Sequence, residues 1–233
     1  MSADAVLQLR QVTKVYGTGE GETRPLREVD FELGAGEFVG VMGPSGSGKT
    51  TMLTIAGGLQ RPTSGTVAVL GEEIQALPQK ALARVRREKV GFVFQSFNLL
   101  SALTARENVE YALQLAGRRG THTRHQATEL LNLVGLGHRM DRLPKDLSGG
   151  EQQRVCIARA IANNAGLILA DEPTANLDAS RAEEIMALLR AIARDFGSGV
   201  LVVTHDTRVD QALDRVLWLE GGRLGERAAA GSG

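Results

Sequence analysis

The stretch GPSGSGKT, residues 43–50, follows an apolar segment, EFVGVM (residues 37–42), and precedes TTMLTIAGGL (residues 50–59), which has helical periodicity. A glycine-rich loop between a buried strand and a helix turns its backbone N–H groups around phosphate oxygens, and the helix N-terminus adds partial positive charge. Lys49 is expected to reach the β- and γ-phosphates, and the Thr50 hydroxyl to ligate Mg²⁺. The stretch therefore predicts a nucleotide-binding α/β core. The predicted nucleotide contacts in this loop are Gly43, Pro44, Ser45, Gly46, Ser47, Gly48, Lys49, Thr50 and Thr51.

The whole chain has the length and charge balance of a compact globular protein. Its 233 residues suffice for a core with an inserted subdomain, and 27 Lys and Arg balance 27 Asp and Glu. This balance argues against binding nucleic acid through bulk charge, so no nucleic-acid partner is expected. No apolar run approaches the roughly 20 residues that span a bilayer, the N-terminus lacks a signal-peptide layout, and the single Cys156 fits a reducing compartment. A cytoplasmic chain is expected.

Alternating and β-branched runs predict strands along the chain, with helical patterns between several of them. The segments LILAD (residues 167–171) and VLVVTH (residues 200–205) are almost continuously apolar, which is typical of strands covered on both faces in a parallel sheet. The sequence therefore predicts an α/β fold. The predicted strands are residues 7–15, 38–42, 66–70, 90–94, 167–170, 200–204 and 216–219.

Between residues 95 and 147 the pattern changes. ENVEYALQLAG and RHQATELLNLVGL have helical periodicity and no convincing strand separates them, which predicts a mainly helical subdomain, residues 96–146, inserted into a core of residues 1–95 and 147–227. Capping-box spacing at Thr104 and Glu107, and at Ser180 and Glu183, predicts helix starts. Residues 228–233 have no core-forming pattern and are expected to form a flexible tail.

Two carboxylates close the predicted strand LILAD. Side chains at this end of a parallel strand emerge into the crevice where ligands bind in open α/β sheets. Asp171 suits the Mg²⁺ site, directly or through water, whereas Glu172 points to the other side and can polarise an attacking water. The alternative is a solvated acidic turn before a helix, which the phosphate loop upstream disfavours.

Two further residues close predicted strands, and each has an ordinary alternative. His205 can hydrogen-bond a γ-phosphate and the attacking water, although a lone strand-end histidine is more often simply hydrogen-bonded. Gln95 can place its amide oxygen on Mg²⁺ or the catalytic water while its backbone moves with the helical segment. Taken alone it is an ordinary loop glutamine, so its assignment depends on its companions.

A second glycine pair lies at the start of a helix, in LSGGEQQR (residues 147–154). Ser148 and Glu151 have capping-box spacing, so the simplest interpretation is a well-capped helix. Gly149 and Gly150 also leave the backbone N–H groups of the first turn bare at the positive end of the helix, which suits an anion. One nucleotide has only one γ-phosphate, and the first loop already surrounds much of it. We therefore expect each copy of the chain to offer this helix end to the nucleotide held by a second copy.

In this order, GPSGSGKT, Gln95, LSGGEQQR, LILADEP, ANLD (residues 175–178) and His205 closely resemble the ATP-binding subunits of ABC transporters. The resemblance runs from Tyr16 to about Arg223, and every expected motif position is filled. It implies an α/β fold with a RecA-like P-loop NTPase core, an antiparallel β-subdomain and the inserted helical subdomain. The short C-terminus, GGLQRPTSG and the segment GTGEGETRPLREV between the first two strands look most like the macrolide-export and lipoprotein-release branch.

The resemblance also implies roles for individual residues. Tyr16 matches the aromatic residue that stacks on adenine, and Gln95 matches the lid residue that couples nucleotide state to the membrane subunits. Glu172 resembles the general base and His205 the switch. The implied contacts from the opposite subunit are Ser148, Gly149, Gly150 and Asp178, and the implied metal ligands are Thr50, Gln95 and Asp171.

The implied function is ATP hydrolysis by a homodimer with Mg²⁺ as cofactor, which powers integral membrane permease subunits. The chain would then be peripheral at the cytoplasmic face of the membrane. Two alternatives remain: an ABC ATPase that drives a membrane regulator of cell-wall or division machinery, and a soluble ATPase of DNA repair or translation. The second alternative lacks support, because the chain has neither long coiled coils nor two fused cassettes.

Overall fold

The computed structural model describes residues 5–118 and 120–226. The predicted tail, residues 228–233, lies outside this range. The strands are β1 (Ala5–Tyr16), β2 (Thr23–Gly34), β3 (Phe38–Met42), β4 (Ser64–Val69), β5 (Glu72–Glu73), β6 (Val90–Val93), β7 (Leu167–Asp171), β8 (Gly199–Thr204), β9 (Arg215–Glu220) and β10 (Arg223–Glu226). The α-helices are α1 (Lys49–Ala56), α2 (Gln79–Lys89), α3 (Ala105–Leu115), α4 (Thr121–Leu133), α5 (Gly149–Ile161) and α6 (Ala179–Phe196).

The central sheet has the strand order β10-β9-β3-β8-β7-β6. The pairs from β9 to β6 are parallel, and only the edge strand β10 runs antiparallel to its neighbour in this sheet. Every residue of β3 and of β8 is buried, because helices and the second sheet cover both faces. The continuous apolar runs of the sequence therefore occupy the interior strands, as predicted for a parallel sheet.

A second, antiparallel sheet has the order β2-β1-β4-β5. β2 is absent from the strands predicted by periodicity, and it begins at Thr23, within the segment that the sequence analysis assigned to the connection. The hairpin register continues up to the pair of Tyr16 with Thr23, so the true connection is residues 17–22. Bulges interrupt the β1–β2 pairing, which obscures the alternation that marks a strand in the sequence.

Two hydrophobic cores lie on opposite faces of the central sheet. On one face, Val39 and Val41 of β3 pack with α1 and the antiparallel sheet. On the other, Phe38 and Met42 of the same strand pack with residues of α3, α4, α5 and α6. This alternation follows from the two-residue period of a strand, and it fixes both layers to one set of strands.

The region predicted to be helical contains α3, α4 and two short 3₁₀ turns at Gly137–Arg139 and Pro144–Asp146. The predicted capping box is confirmed at Thr104, whose hydroxyl accepts the N–H of Glu107 while the Glu107 carboxylate accepts the N–H of Thr104. The box predicted at Ser180 is wrong, because Asp178 caps α6 by accepting the N–H of Arg181 at 3.0 Å. No helix within the described ranges is both long and apolar enough to cross a membrane.

The contact between β6 and α5 leaves no room for a side chain at Gly91, since an added Cβ would lie 2.2 Å from the carbonyl oxygen of Ala160. We expect Gly91→Ala to lower the free energy of unfolding by about 1–3 kcal/mol, the usual cost of overpacking. Gly225→Ala is the control, because a Cβ there meets nothing within 4 Å. Urea denaturation measures both. Equal stability of the two variants would contradict the close packing of β6 on α5.

Candidate nucleotide-binding site

The carboxyl ends of the parallel strands meet at one edge of the central sheet. In register, Met42 lies beside Thr204, and Asp171 lies beside Val203. The loops that leave these strands enclose an open cleft of about 630 Å³. The cleft is lined by Pro44, Ser45, Gly46, Gly48, Lys49, Thr50, Thr51, Gln95, Asp171, Glu172 and His205.

Lys49 is the cation of this cleft. Its side chain is buried, and Nζ donates to the carbonyl oxygens of Gly43 at 2.8 Å and Pro44 at 2.9 Å. Burial lowers the pKa of Lys49 and is the largest influence on it, while the negative charges of Glu172 and Asp171 act in the opposite direction. An ammonium group has three N–H donors, so Lys49 can hold the loop closed with two and face an anion with the third.

The loop itself has the backbone form of an anion cradle. Gly48, the N-cap of α1, has φ of +108°, which a residue with a Cβ rarely adopts, and a Cβ there would lie 2.2 Å from the carbonyl oxygen of Pro25. The hydroxyl of Ser47 is buried and has no hydrogen-bond partner within the described part of the chain. A phosphate oxygen in the loop would supply that partner, so these residues fit a nucleotide phosphate.

Asp171 and Thr50 form the part of the cleft that suits a divalent cation. The Thr50 hydroxyl donates to Oδ1 of Asp171 at 3.2 Å. Burial raises the pKa of Asp171, and the hydrogen bond from Thr50 opposes that effect. Residues 5–118 and 120–226 contain no group of three or more His, Cys, Asp or Glu that could hold a metal. A hydroxyl and one carboxylate therefore fit Mg²⁺ only where nucleotide phosphates and water complete its oxygen ligands.

Glu172 lies on the other side of the cleft, in contact with the end of β8. Its Oε1 is 2.7 Å from Nδ1 of His205, and its Oε2 accepts a hydrogen bond from the Thr204 hydroxyl at 2.8 Å. The backbone of Glu172 is left-handed, with φ of +47°. Thr204 and His205 thus contact the two oxygens of a carboxylate that is mostly buried, while His205 remains largely exposed.

Gln95 is exposed in the turn that follows β6. Its carbonyl oxygen accepts a hydrogen bond from Nδ2 of Asn176 at 3.0 Å, which joins this turn to the segment between β7 and α6. Sequence reasoning assigned no contact to Asn176 or to Thr204. The signals available were their positions, Asn176 within ANLD and Thr204 directly before His205, but neither position reveals its hydrogen-bond partner.

The remaining predicted residues do not line this cleft. Ser148 caps α5, because its hydroxyl accepts the N–H of Glu151. In return the Glu151 carboxylate accepts the backbone N–H of Ser148, and this second hydrogen bond lowers the pKa of Glu151. Asp178 caps α6. Tyr16 is the last residue of β1, and its ring is partly exposed. Its hydroxyl donates to Oε1 of Gln60, and Nζ of Lys14 lies 5.0 Å from the centroid of its ring.

A glycine-rich loop between β3 and α1, with carboxylates at the end of β7, which is parallel to β3 and separated from it by β8, defines a P-loop nucleotide-binding protein. The chain belongs to the ABC transporter family, because the model of that family matches residues 26–175. It is accordingly an ATP-binding ABC ATPase.

Relatives agree with the predicted branch. The lipoprotein-releasing system ATP-binding protein LolD of Shewanella frigidimarina is 45% identical over 94% of this chain and 92% of its own length. The macrolide export ATP-binding/permease protein MacB of Salmonella choleraesuis is 44% identical over 94% of this chain, which spans only 34% of MacB. The dimeric post-hydrolysis structure of the ATP-binding cassette MJ0796 with ADP and Pi is 43% identical, with a TM-score of 0.86, and covers 96% of this chain and 99% of its own.

The two capping boxes, at Thr104 and Ser148, have the same local chemistry, so they separate helix stability from function. We expect Thr104→Ala and Ser148→Ala each to lower the free energy of unfolding by about 1 kcal/mol, because each removes an N-cap acceptor. Only Ser148→Ala should also reduce ATPase activity of the isolated protein. Thermal unfolding and phosphate release measure the two effects. Equal ATPase activity of both variants would mean that Ser148 is only a cap.

Proposed function

We propose that this chain powers a separate membrane permease through ATP-driven head-to-tail dimerisation. One observation carries the proposal: the phosphate loop, Asp171, Glu172 and His205 line one cleft, whereas the first turn of α5, which contains Gly149 and Gly150, does not line it. A complete site then takes its second half from another copy. The structure of the related cassette MJ0796 with ADP and Pi is dimeric, which supports dimerisation of this chain.

Within one copy, the phosphate loop binds the nucleotide. Lys49 would neutralise the β- and γ-phosphates, while Thr50 and Asp171, with the side-chain oxygen of Gln95, would hold Mg²⁺. Mg²⁺ supplies charge neutralisation on the phosphates when it is bound. Tyr16 offers its exposed ring to adenine, a contact that gives affinity with little selectivity for the base.

Glu172 is the general base in this proposal. It accepts a proton from the attacking water, and His205, in contact with Oε1 of Glu172, senses the γ-phosphate. Phosphoryl transfer depends mainly on positioning and charge neutralisation, so one oriented carboxylate suffices for the protein's part in proton transfer.

The opposite copy contributes Ser148, Gly149, Gly150 and Asp178. In the first turn of α5, the backbone N–H groups not used by the capping box meet the γ-phosphate of the other copy. Gly149 also lies beside the segment of Asp178, since an added Cβ would be 3.6 Å from the carbonyl oxygen of Asn176. A contact across the dimer is thereby transmitted to the turn that contains Gln95, through the bond between Asn176 and that turn.

Glu172→Gln tests the shared site. The amide cannot take a proton from water, so we expect turnover to fall at least about a hundredfold while ATP binding persists and the closed dimer accumulates. Gel filtration with Mg·ATP measures the dimer, and Glu129→Gln on the exposed face of α4 is the control. A Glu172→Gln protein that stays monomeric at every concentration tried would contradict the head-to-tail dimer.

The permease is proposed to dock on a groove between the core and the helical segment, near residues 95–107. The groove has a volume of about 580 Å³ and is lined by Leu59 of the loop after α1, Phe92 of β6 and Leu115 of α3. Leu59 is 46% exposed and Leu115 is 54% exposed, and Arg86 and Arg87 lie along the same groove. An apolar groove with a basic rim fits an amphipathic helix that carries acidic residues, on the cytoplasmic side of a membrane partner.

The groove also contacts the turn at Gln95. Arg159 of α5, which lines the groove, donates to the carbonyl oxygens of Phe97 at 2.9 Å and Asn98 at 2.5 Å. A helix bound in the groove therefore contacts Arg159, which holds the segment that follows Gln95. Through this contact the motion of the ATP site reaches the permease, and the chain is held at the cytoplasmic face of the membrane by its partner.

The names of the relatives favour an exporter, or a lipoprotein- or lipid-handling system, as the membrane system that this ATPase drives. The second candidate is an ABC ATPase that drives a membrane regulator of cell-wall or division machinery, which would use the same groove and the same ATP site. The membrane topology of the partner and its transport of a substrate separate the two functions.

Leu115→Asp tests the groove. A carboxylate at this apolar lining position should reduce recovery of the membrane partner about tenfold when the chain is co-expressed with its permease and isolated in detergent. Leu133→Asp is the matched control, because Leu133 is 48% exposed at the end of α4 and does not line the groove. Both variants should keep the ATPase activity of the isolated chain. Equal recovery with both would exclude this groove as the docking surface.

A further inference from the structure

Thr204, the last residue of β8, is fully buried beside Glu172. Its hydroxyl accepts the backbone N–H of Asp206 at 3.1 Å and lies 2.8 Å from Oε2 of Glu172. An N–H group can only donate, so the hydroxyl accepts from Asp206 and directs its single proton to Glu172. The direction of both hydrogen bonds is therefore determined.

Glu172 needs such a contact because its backbone is unfavourable. A φ of +47° brings the Cβ of an L-residue close to its own backbone, and such conformations persist only where the surroundings hold them. The end of β8 holds Glu172 twice: the Glu172 N–H donates to the carbonyl oxygen of Val203 at 2.9 Å, and the carboxylate accepts from Thr204. One contact fixes the main chain and the other fixes the side chain.

The two carboxylate oxygens have different environments. Oε2 meets the buried Thr204, whereas Oε1 meets His205, whose side chain is 66% exposed and lines the cleft. Thr204 thereby holds Oε2 against the end of β8 and leaves Oε1 directed toward the cleft. A free glutamate side chain would sample several rotamers, of which few put an oxygen at the site of an attacking water.

We propose that Thr204 is a positioning residue for ATP hydrolysis, which acts by orienting the carboxylate of Glu172. This inference rests on the proposed role of Glu172 as the general base. It adds a residue that contacts the proposed base through one hydrogen bond, and it assigns Oε1 as the oxygen that receives the proton from water.

Thr204→Val removes the hydroxyl and keeps the shape of the side chain. We expect kcat to fall about tenfold to a hundredfold, the range for a lost hydrogen bond to a charged group, with KM for ATP changed less than about threefold. Thr204→Ser keeps the hydroxyl and should retain most of the turnover. If the valine variant does not fold, Thr204→Cys replaces it, because a thiol is a poor donor of similar size.

Ser198→Ala is the matched control for a lost buried hydroxyl. Ser198 precedes β8, is buried, and donates to the carbonyl oxygen of Ala165 at 2.7 Å, far along the strand from the cleft. It should lower thermal stability without lowering kcat. A kcat of Thr204→Val as high as that of Ser198→Ala would overturn the proposal.

A double variant separates positioning from a general structural effect. If Thr204 acts only through Glu172, adding Thr204→Val to Glu172→Gln should cause no further loss of the residual turnover. Independent, multiplying losses would overturn the inference while leaving Glu172 as the base. Full turnover of Glu172→Gln alone would instead refute the proposed role of Glu172, whatever Thr204→Val does.

Discussion

The parallel pairing of β3, β8 and β7 is the constraint on which the rest of this molecule depends. The hydrogen-bond register places Met42, Thr204 and Asp171 at one edge, so the phosphate loop, His205 and Glu172 emerge together although they are far apart in sequence. Buried strands cannot slip by one residue without moving every side chain to the opposite face. The two cores on either side of the sheet therefore hold the geometry of the cleft in place.

The turn after β6 is the point where this rigid edge meets the helical segment. Three different groups hold its backbone: Nδ2 of Asn176 bonds Gln95, while Sγ of Cys156 and the guanidinium of Arg159 both reach the carbonyl oxygen of Phe97. Burial raises the pKa of Cys156 to about 12, so its thiol stays protonated and can only act as a weak donor here. A shift of α5 should therefore move the segment that contains Gln95 and Phe97. This segment borders both the ATP cleft and the proposed docking groove.

The sequence predicts most of the fold and most of the cleft, for physical reasons that also explain what it misses. Buried parallel strands and the phosphate loop carry strong local patterns, so β3, β7 and β8 are found within one or two residues. β2 is missed because bulges interrupt its alternation, and the start of α6 is misassigned because Asp178 competes with Ser180 for the same local signal. Thr204 and Asn176 lie outside sequence reasoning for another reason: each acts through one hydrogen bond to a residue distant in the chain, and no local pattern encodes a partner.

The first turn of α5 illustrates how one local structure can serve two purposes. A capping box satisfies only some of the N–H groups at a helix start, and here the next two residues, Gly149 and Gly150, bring no side chain of their own to that turn. At the start of α3, the same box is followed by Ala105 and Arg106, whose backbone N–H groups donate to the carbonyl oxygens of Arg142 and Met140. The two helix starts therefore share the capping box and differ at the two residues that follow it. We propose that the first turn of α5 binds an anion. Because this turn does not line the chain's own nucleotide cleft, the anion would have to come with another molecule, which is the physical argument for a site divided between two copies.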